Sequence, residues 1–226
     1  VIRAAGHVQD QDDPVTPTEI YYDPADVADS VTLYFHADNA LHIVTGARGS
    51  LTITSAKRQY GVMRFEFTGL VTPPAAGAMP TIDTSAFVKP LPFRAANVEF
   101  GLLGQSNVPL HSLTLNGGQE VGFYETSEEE AIEQQDRVSN FQALIEHPDL
   151  ATWNIFQDIE NSTIGALSFA LGTAPGNIFE IAAGEVQITN PPTRSNENGI
   201  TALQIGGPII ASDTSANPTG YRITVK

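Results

Sequence analysis

Apolar and polar residues alternate with a period of two along most of the chain. Val31-Thr-Leu-Tyr-Phe35, Leu51-Thr-Ile-Thr54 and Met63-Arg-Phe-Glu-Phe-Thr68 follow this pattern. So do Leu167-Ser-Phe-Ala-Leu171, Val186-Gln-Ile188, Leu203-Gln-Ile205 and Tyr221-Arg-Ile-Thr-Val225. A strand turns successive side chains to opposite faces, so these segments read as half-buried β-strands. Asn116-Gly117, between Leu113-Thr-Leu115 and Val121-Gly-Phe123, predicts a tight hairpin. Asp38-Asn39 and Pro175-Gly176 predict two more, because Asn, Asp and Gly tolerate left-handed backbone angles. The pattern predicts a mainly β protein, an antiparallel β-sandwich or barrel.

One segment departs from it. Residues 150–160 place Ile155, Phe156 and Ile159 at helical spacing, and Asp149 follows Pro148 as a cap. This predicts one short amphipathic helix packed on a sheet, with Trp153 in the core. Thr126-Ser-Glu-Glu129 matches a capping box, but the glutamates around it offer no apolar face. The segment reads instead as an acidic loop between strands. Residues 70–95, with Pro73, Pro74, Pro80, Pro90 and Pro92, read as an extended arm, since loops this long have a task or lack order.

The chain also resembles itself. Residues 31–69 align with 166–207, and Gly49-Ser-Leu-Thr-Ile-Thr54 matches Gly184-Glu-Val-Gln-Ile-Thr189 in apolar pattern at an offset of 135. An internally duplicated sheet module follows as an expectation. Residues 1–69 form a first β module, 70–95 the proline-rich arm, and 96–226 a second module holding the helix. Residues 1–6 read as the last turn of an equivalent helix whose upstream part precedes the chain.

Charge changes the picture. The 226 residues hold 26 acidic and 11 basic side chains, a formal charge of −15. Such a chain lacks the cations that neutralise phosphates in a nucleic-acid-binding module or attach a protein to anionic membranes. The acids cluster: residues 1–30 hold seven against Arg3 alone, and 117–160 hold eleven against Arg137 alone. The stretch between is weakly basic and carries Arg48, Lys57, Arg58 and Arg64. Paired patches of opposite sign select partners, so these four cations and Glu128, Glu129, Glu130 and Glu133 are candidates for contacts between copies of the chain.

Signs of catalysis are few. With no cysteine, thiolate chemistry and disulfides are excluded. No phosphate loop, dinucleotide fingerprint, zinc-helix or nucleophile-elbow motif occurs. His36 and His42 flank the Asp38-Asn39 turn as a conceivable metal pair without further ligands, and they read as ordinary strand histidines. Asp10, Asp12 and Asp13 resemble part of a calcium loop without its glycine and distal glutamate. With one Trp, six Tyr and eleven Phe, sugar-stacking platforms are scarce. The sequence therefore reads as a non-enzyme without cofactor or metal.

An ordered series of segments carries a family resemblance. Val31-Thr-Leu-Tyr-Phe-His-Ala-Asp-Asn-Ala-Leu-His-Ile-Val-Thr-Gly-Ala-Arg-Gly-Ser-Leu51, then Met63-Arg-Phe-Glu-Phe-Thr-Gly69, resemble the hairpin, turn and next strand of tail tube proteins of long-tailed bacteriophages. Asp136-Arg137 with the strand after it, the Trp153 helix, Gly165-Ala-Leu-Ser-Phe-Ala-Leu-Gly172, Asn190-Pro191 and Asn198-Gly199 continue the match. The acidic segment 7–30 departs from it. The resemblance implies a virion structural protein, made in the host cytoplasm, whose homohexameric rings stack into a tail tube. It also implies other tail proteins as partners, no membrane, and DNA as a transient cargo that is not bound. A bore of this kind is expected to show carboxylates and few lysines or arginines, because each cation retards DNA. Two other readings remain open: a secreted or surface β-sandwich module binding carbohydrate or protein, and the tube of a contractile injection system.

Overall fold

The computed structural model describes residues 1–26, 29–85, 87–211 and 220–226. After a 3-10 turn at Arg3–Ala5, the chain forms β1 (His7–Gln11), β2 (Ile20–Pro24), β3 (Val31–Ala37), β4 (Ala40–Ala56) and β5 (Val62–Val71). There follow β6 (Ala75–Ala76), β7 (Val98–Leu102), β8 (Leu110–Asn116), β9 (Gln119–Glu125), β10 (Glu130–Arg137) and β11 (Asn140–Glu146). Helix α1 (Ile155–Glu160) precedes β12 (Ile164–Leu171), β13 (Phe179–Gln187), β14 (Thr193–Glu197), β15 (Ile200–Pro208) and β16 (Tyr221–Val225). The protein is mainly β, antiparallel throughout, with one short helix. No helix among the described residues is long and apolar enough to cross a membrane.

Two sheets share one core. The first runs β1-β2-β16-β13-β12-β7, and the second β14-β15-β11-β8-β4, with β5 and β6 against one side of β4 and β3 against the other. Alternation sends Phe100, Leu102, Leu167, Phe169, Ile181 and Ile223 inward from the first sheet. Leu51, Ile53, Leu113, Leu115, Phe141, Ile145 and Leu203 meet them from the second. Burial of this kind contributes about 25 cal/mol per Å² of apolar surface, which is why period-two segments settle as a sandwich. Trp153 lies in this core as expected, and its indole N–H donates to Asp158 at 2.7 Å.

The turns divide into confirmations and corrections. Asp38 and Asn39 both take positive φ (47° and 65°) and join β3 to β4 as a two-residue hairpin. The Pro175-Gly176 segment closes the β12–β13 hairpin. Asn116-Gly117 makes no hairpin: β8 pairs with β11 and β4, whereas among the described residues β9 pairs with β10 alone. There the Asn116 carboxamide accepts from the N–H of Gly118, and the N–H of Gly117 is captured by Leu51 of β4. The chain is thereby turned out into a separate β9–β10 ribbon. It returns at Val138, whose N–H donates to Gly118, and any Cβ on Gly118 (φ 68°) would lie 2.0 Å from the Val138 carbonyl oxygen.

The acidic loop is correspondingly shorter than expected, since Glu130–Arg137 is a strand whose own Ile132 is buried. The helix is shorter as well. Its cap is Asn154, which accepts from the N–H of Gln157, while Asp149 closes the turn before it by accepting from Ala151. Residues 1–6 end in a 3-10 turn closed by left-handed Gly6 rather than in an α-helical turn. The two aligned segments differ in topology: β4 and β5 are neighbours in one sheet, whereas β13 and β15 lie in different sheets, bridged at Val186 and Ile209.

A buried histidine ties the N-terminal segment to the last strand. His7 is 2% exposed; its Nδ1–H donates to the Ala5 carbonyl, and its Nε2 accepts from the Tyr221 hydroxyl, each at 2.9 Å. Burial lowers its pKa to about 4 and raises that of Tyr221. The neutral imidazole is the folded form, so the unfolded chain takes up a proton that the folded chain refuses between pH 6.5 and about 4. Stability is full above that window and falls as pH drops through it, by about 3 kcal/mol from this group. We expect thermal midpoints measured by circular dichroism to decline over this range. The slope should be shallower in His7→Gln, and an equal slope would refute the assignment.

Candidate functional site

The expected contact residues separate into three groups. Arg48, on β4, donates to the backbone carbonyl of Ile132 and lies 3.2 Å from the Glu133 carboxylate of its own chain. The pairing of the basic and acidic stretches is therefore intramolecular at this point. The reason is the ribbon, which lies against β4 and β5 instead of looping into solvent. Lys57 is also engaged within the chain, 2.5 Å from Glu197 and 3.1 Å from Nδ1 of His111, and its hydrogen bond lowers the Glu197 pKa. Arg64 sits 2.9 Å from Glu66 on the same face of β5, both largely exposed.

Arg58 is different. It occupies the turn after β4 with φ 64°, and among the described residues it makes no ion pair. Its neighbour across the turn is Phe93, whose carbonyl accepts from the Arg58 N–H. Here Lys57, Arg58 and Arg94, together with Glu99 and Glu146, line a cleft of about 770 Å³ that also holds Phe93, Phe100 and Val108. Arg94 was not among the residues singled out from sequence, because it lies at the end of the proline-rich arm and only the fold returns it to Arg58. At the ribbon tip, Glu128, Glu129 and Glu130 are exposed and free of ion pairs among the described residues. The Thr126 hydroxyl accepts from the N–H groups of Glu128 and Glu129, shaping a turn rather than a helix cap.

The metal candidates dissolve on inspection of the register. His42 lies opposite Phe35 and His36 opposite Leu41, so the two imidazoles leave opposite faces of the hairpin. Asp12 accepts from the backbone and hydroxyl of Thr18 and from the Glu19 N–H, and these bonds lower its pKa to about 2. Asp13 serves Val15 and Thr16 in the same way. Both carboxylates are turn-closing groups of the β1–β2 connection. Among the described residues no group of three or more His, Asp or Glu is placed to hold a metal.

The surfaces hold the remaining signals. Among the described residues β5 is bonded to β4 along one side only, so this ten-residue strand is one edge of its sheet, and β14 forms the opposite edge. Beyond β5 the arm is fastened at both ends. Ala75 and Ala76 pair with Leu41 and Ala40, and Phe93 enters the core with its N–H on Gln59. Between these anchors Met79, Ile82, Phe87 and Val88 are each 70–80% exposed. The solvent face of the larger sheet is mostly uncharged and polar, including Ser50, Thr52, Thr54, Thr114, Gln142 and Gln204. Its two arginines, Arg48 and Arg64, are ion-paired. The smaller sheet's outer face instead carries a bidentate Arg222–Asp23 pair at 2.7 Å, with Lys226 between Glu19 and Glu180.

No family model and no curated protein matches the chain.

The Arg48 contact makes a direct expectation. The side chain is 20% exposed and satisfies a backbone carbonyl as well as a carboxylate. Arg48→Ala should loosen the ribbon at a cost of about 1–3 kcal/mol. Hydrogen exchange of residues 119–137 should rise well above that of β11, and unchanged protection would count against the contact.

Proposed function

We propose that this chain is the tube-forming structural protein of a long-tailed bacteriophage tail. Six copies close into a ring, rings stack, and DNA leaves through the bore without being held. The observation that carries the reading is the pair of open edges on one sheet, β5 and β14. A long exposed edge is a template for another strand, and isolated proteins shorten, cover or bulge such edges. Joining β14 of one copy to β5 of the next turns six sheets into a closed barrel with no edge left.

Two further features fit. The polar face of that sheet supplies a wall on which both arginines are already neutralised, beside Glu66 and Glu146. Unpaired cations would bind DNA by releasing its counterions and slow its passage. The arm supplies reach: its apolar side chains Met79, Ile82, Phe87 and Val88 are largely exposed and suit burial against a neighbouring copy.

Negative-stain microscopy of the purified chain tests the reading. Rings or tubes of uniform bore are expected, while dispersed monomers would favour a β-sandwich binding module instead. Ile82→Ser combined with Phe87→Ser should leave the thermal midpoint almost unchanged, because both residues are exposed in the single copy. The same variant should abolish or shorten the tubes. Tubes of normal length would remove the arm from the assembly account.

A further inference from the structure

We infer that the cleft between Arg58 and Arg94 is the receptor for the acidic tip of the β9–β10 ribbon of a second copy. The cleft gathers Lys57, Arg58 and Arg94 against Glu99 and Glu146 in a chain of net charge −15, and at its Arg58–Arg94 side neither guanidinium has an ionic partner among the described residues. Its floor is apolar, formed by Phe93, Phe100 and Val108. The ribbon tip has the complementary composition. Glu125, Glu128, Glu129 and Glu130 are exposed there, and the Tyr124 ring beside them is 47% exposed. Carboxylates facing a guanidinium pair around an apolar contact form the kind of complementary patch that sets register between partners.

The fold prevents a copy from satisfying itself. β8 carries Leu110 at the cleft and Asn116 at the neck of the ribbon, and β11 carries Glu146 and Asn140 at the same two places. Six strand residues separate these ends by about 20 Å. From the neck, beside Leu51, the ribbon runs past Arg48, which is the direction away from Lys57 and the cleft. Donor and receptor thus occupy opposite ends of the same strands. A contact between them is heterologous and head-to-tail, and it propagates along the strand direction from copy to copy. It deepens the reading of the chain as a self-assembling tube protein and rests on it for the arrangement of copies, while the contact itself is separately measurable.

Two measurements test it on the full chain. In this cysteine-free protein, Arg94→Cys and Ser127→Cys variants mixed under oxidising conditions should give a disulfide-linked dimer, and Arg94→Cys with Ser168→Cys should not. In sedimentation at about 50 mM salt, Arg58→Glu with Arg94→Glu should raise the concentration needed for self-association by about tenfold or more. Adding Glu128→Arg, Glu129→Arg and Glu130→Arg to the same chain should restore most of the loss. Because all five positions are exposed, circular dichroism should be unchanged in every variant. Wild-type tubes that form equally well from the Arg58/Arg94 variant, without the cross-link, would overturn the contact and leave the tube reading intact. Charge-dependent association with the cross-link but without tubes would uphold the contact and overturn the tube reading. A chain that stays monomeric and uncrosslinked overturns both.

Discussion

Strand β4 is the constraint on which the rest of the arrangement depends. Its 17 residues span about 55 Å, and it bonds β3 and β8 on one side and β5 and β6 on the other. A strand this long has to serve two environments. A register shift between Thr45 and Arg48 divides it, so that the second half buries Leu51 and Ile53 while the first half carries the β3 hairpin beyond the core. Arm, ribbon and cleft each hang from a definite station on it. The arm is fastened at Ala40 and Leu41, the ribbon at Arg48, and the cleft opens at Lys57. The distances between arm, ribbon and cleft are therefore set by one rigid element and not by loops.

Local patterning made the two sheets legible because burial on one face is a local rule. Each period-two segment needs only a covering surface, and any sandwich supplies it. Pairing is not local, and that is where the sequence reading diverged from the fold. Asn116-Gly117 has the composition of a hairpin turn, but β11 outcompetes β9 for the edge of β8, burying Phe141 and Ile145 where β9 offers an exposed Phe123. The actual two-residue Asn-Gly hairpin is Asn198-Gly199, with both residues at positive φ (56° and 90°) between β14 and β15. The same dipeptide thus acts as a hairpin in one place and a point of departure in the other. What decides is which strand has more apolar surface to bury.

The charged residues followed the same division. Segregation of acids and bases along the chain was visible in composition. It did not reveal that one pairing of the two stretches, Arg48 with Glu133, occurs inside one copy. Nor did it reveal Arg94, which is 36 residues from Arg58 and joins it because Phe93 bonds across the turn that holds Arg58. The turn carboxylates Asp12 and Asp13 teach the reverse lesson: a metal-like cluster of acids was fully accounted for by the N–H and hydroxyl groups beside it. Sequence places charges in order, and only the fold says which are already satisfied.

Copies that each carry −15 repel one another, so the proposed assembly would have to overcome a general repulsion with a few specific contacts. These two terms respond oppositely to salt. The general repulsion acts over distances near the Debye length and fades as ionic strength rises, whereas contacts between cations and carboxylates at close range weaken with it. Apolar burial of the arm is indifferent to screening and strengthens with excluded salts. The proposed contact set, combining Arg58 and Arg94 with an apolar floor and an arm with four apolar side chains, would therefore be buffered against ionic strength. On the proposed tube reading, the acidic surface would keep single copies apart and DNA unbound without preventing the copies from joining where their strands and clefts align.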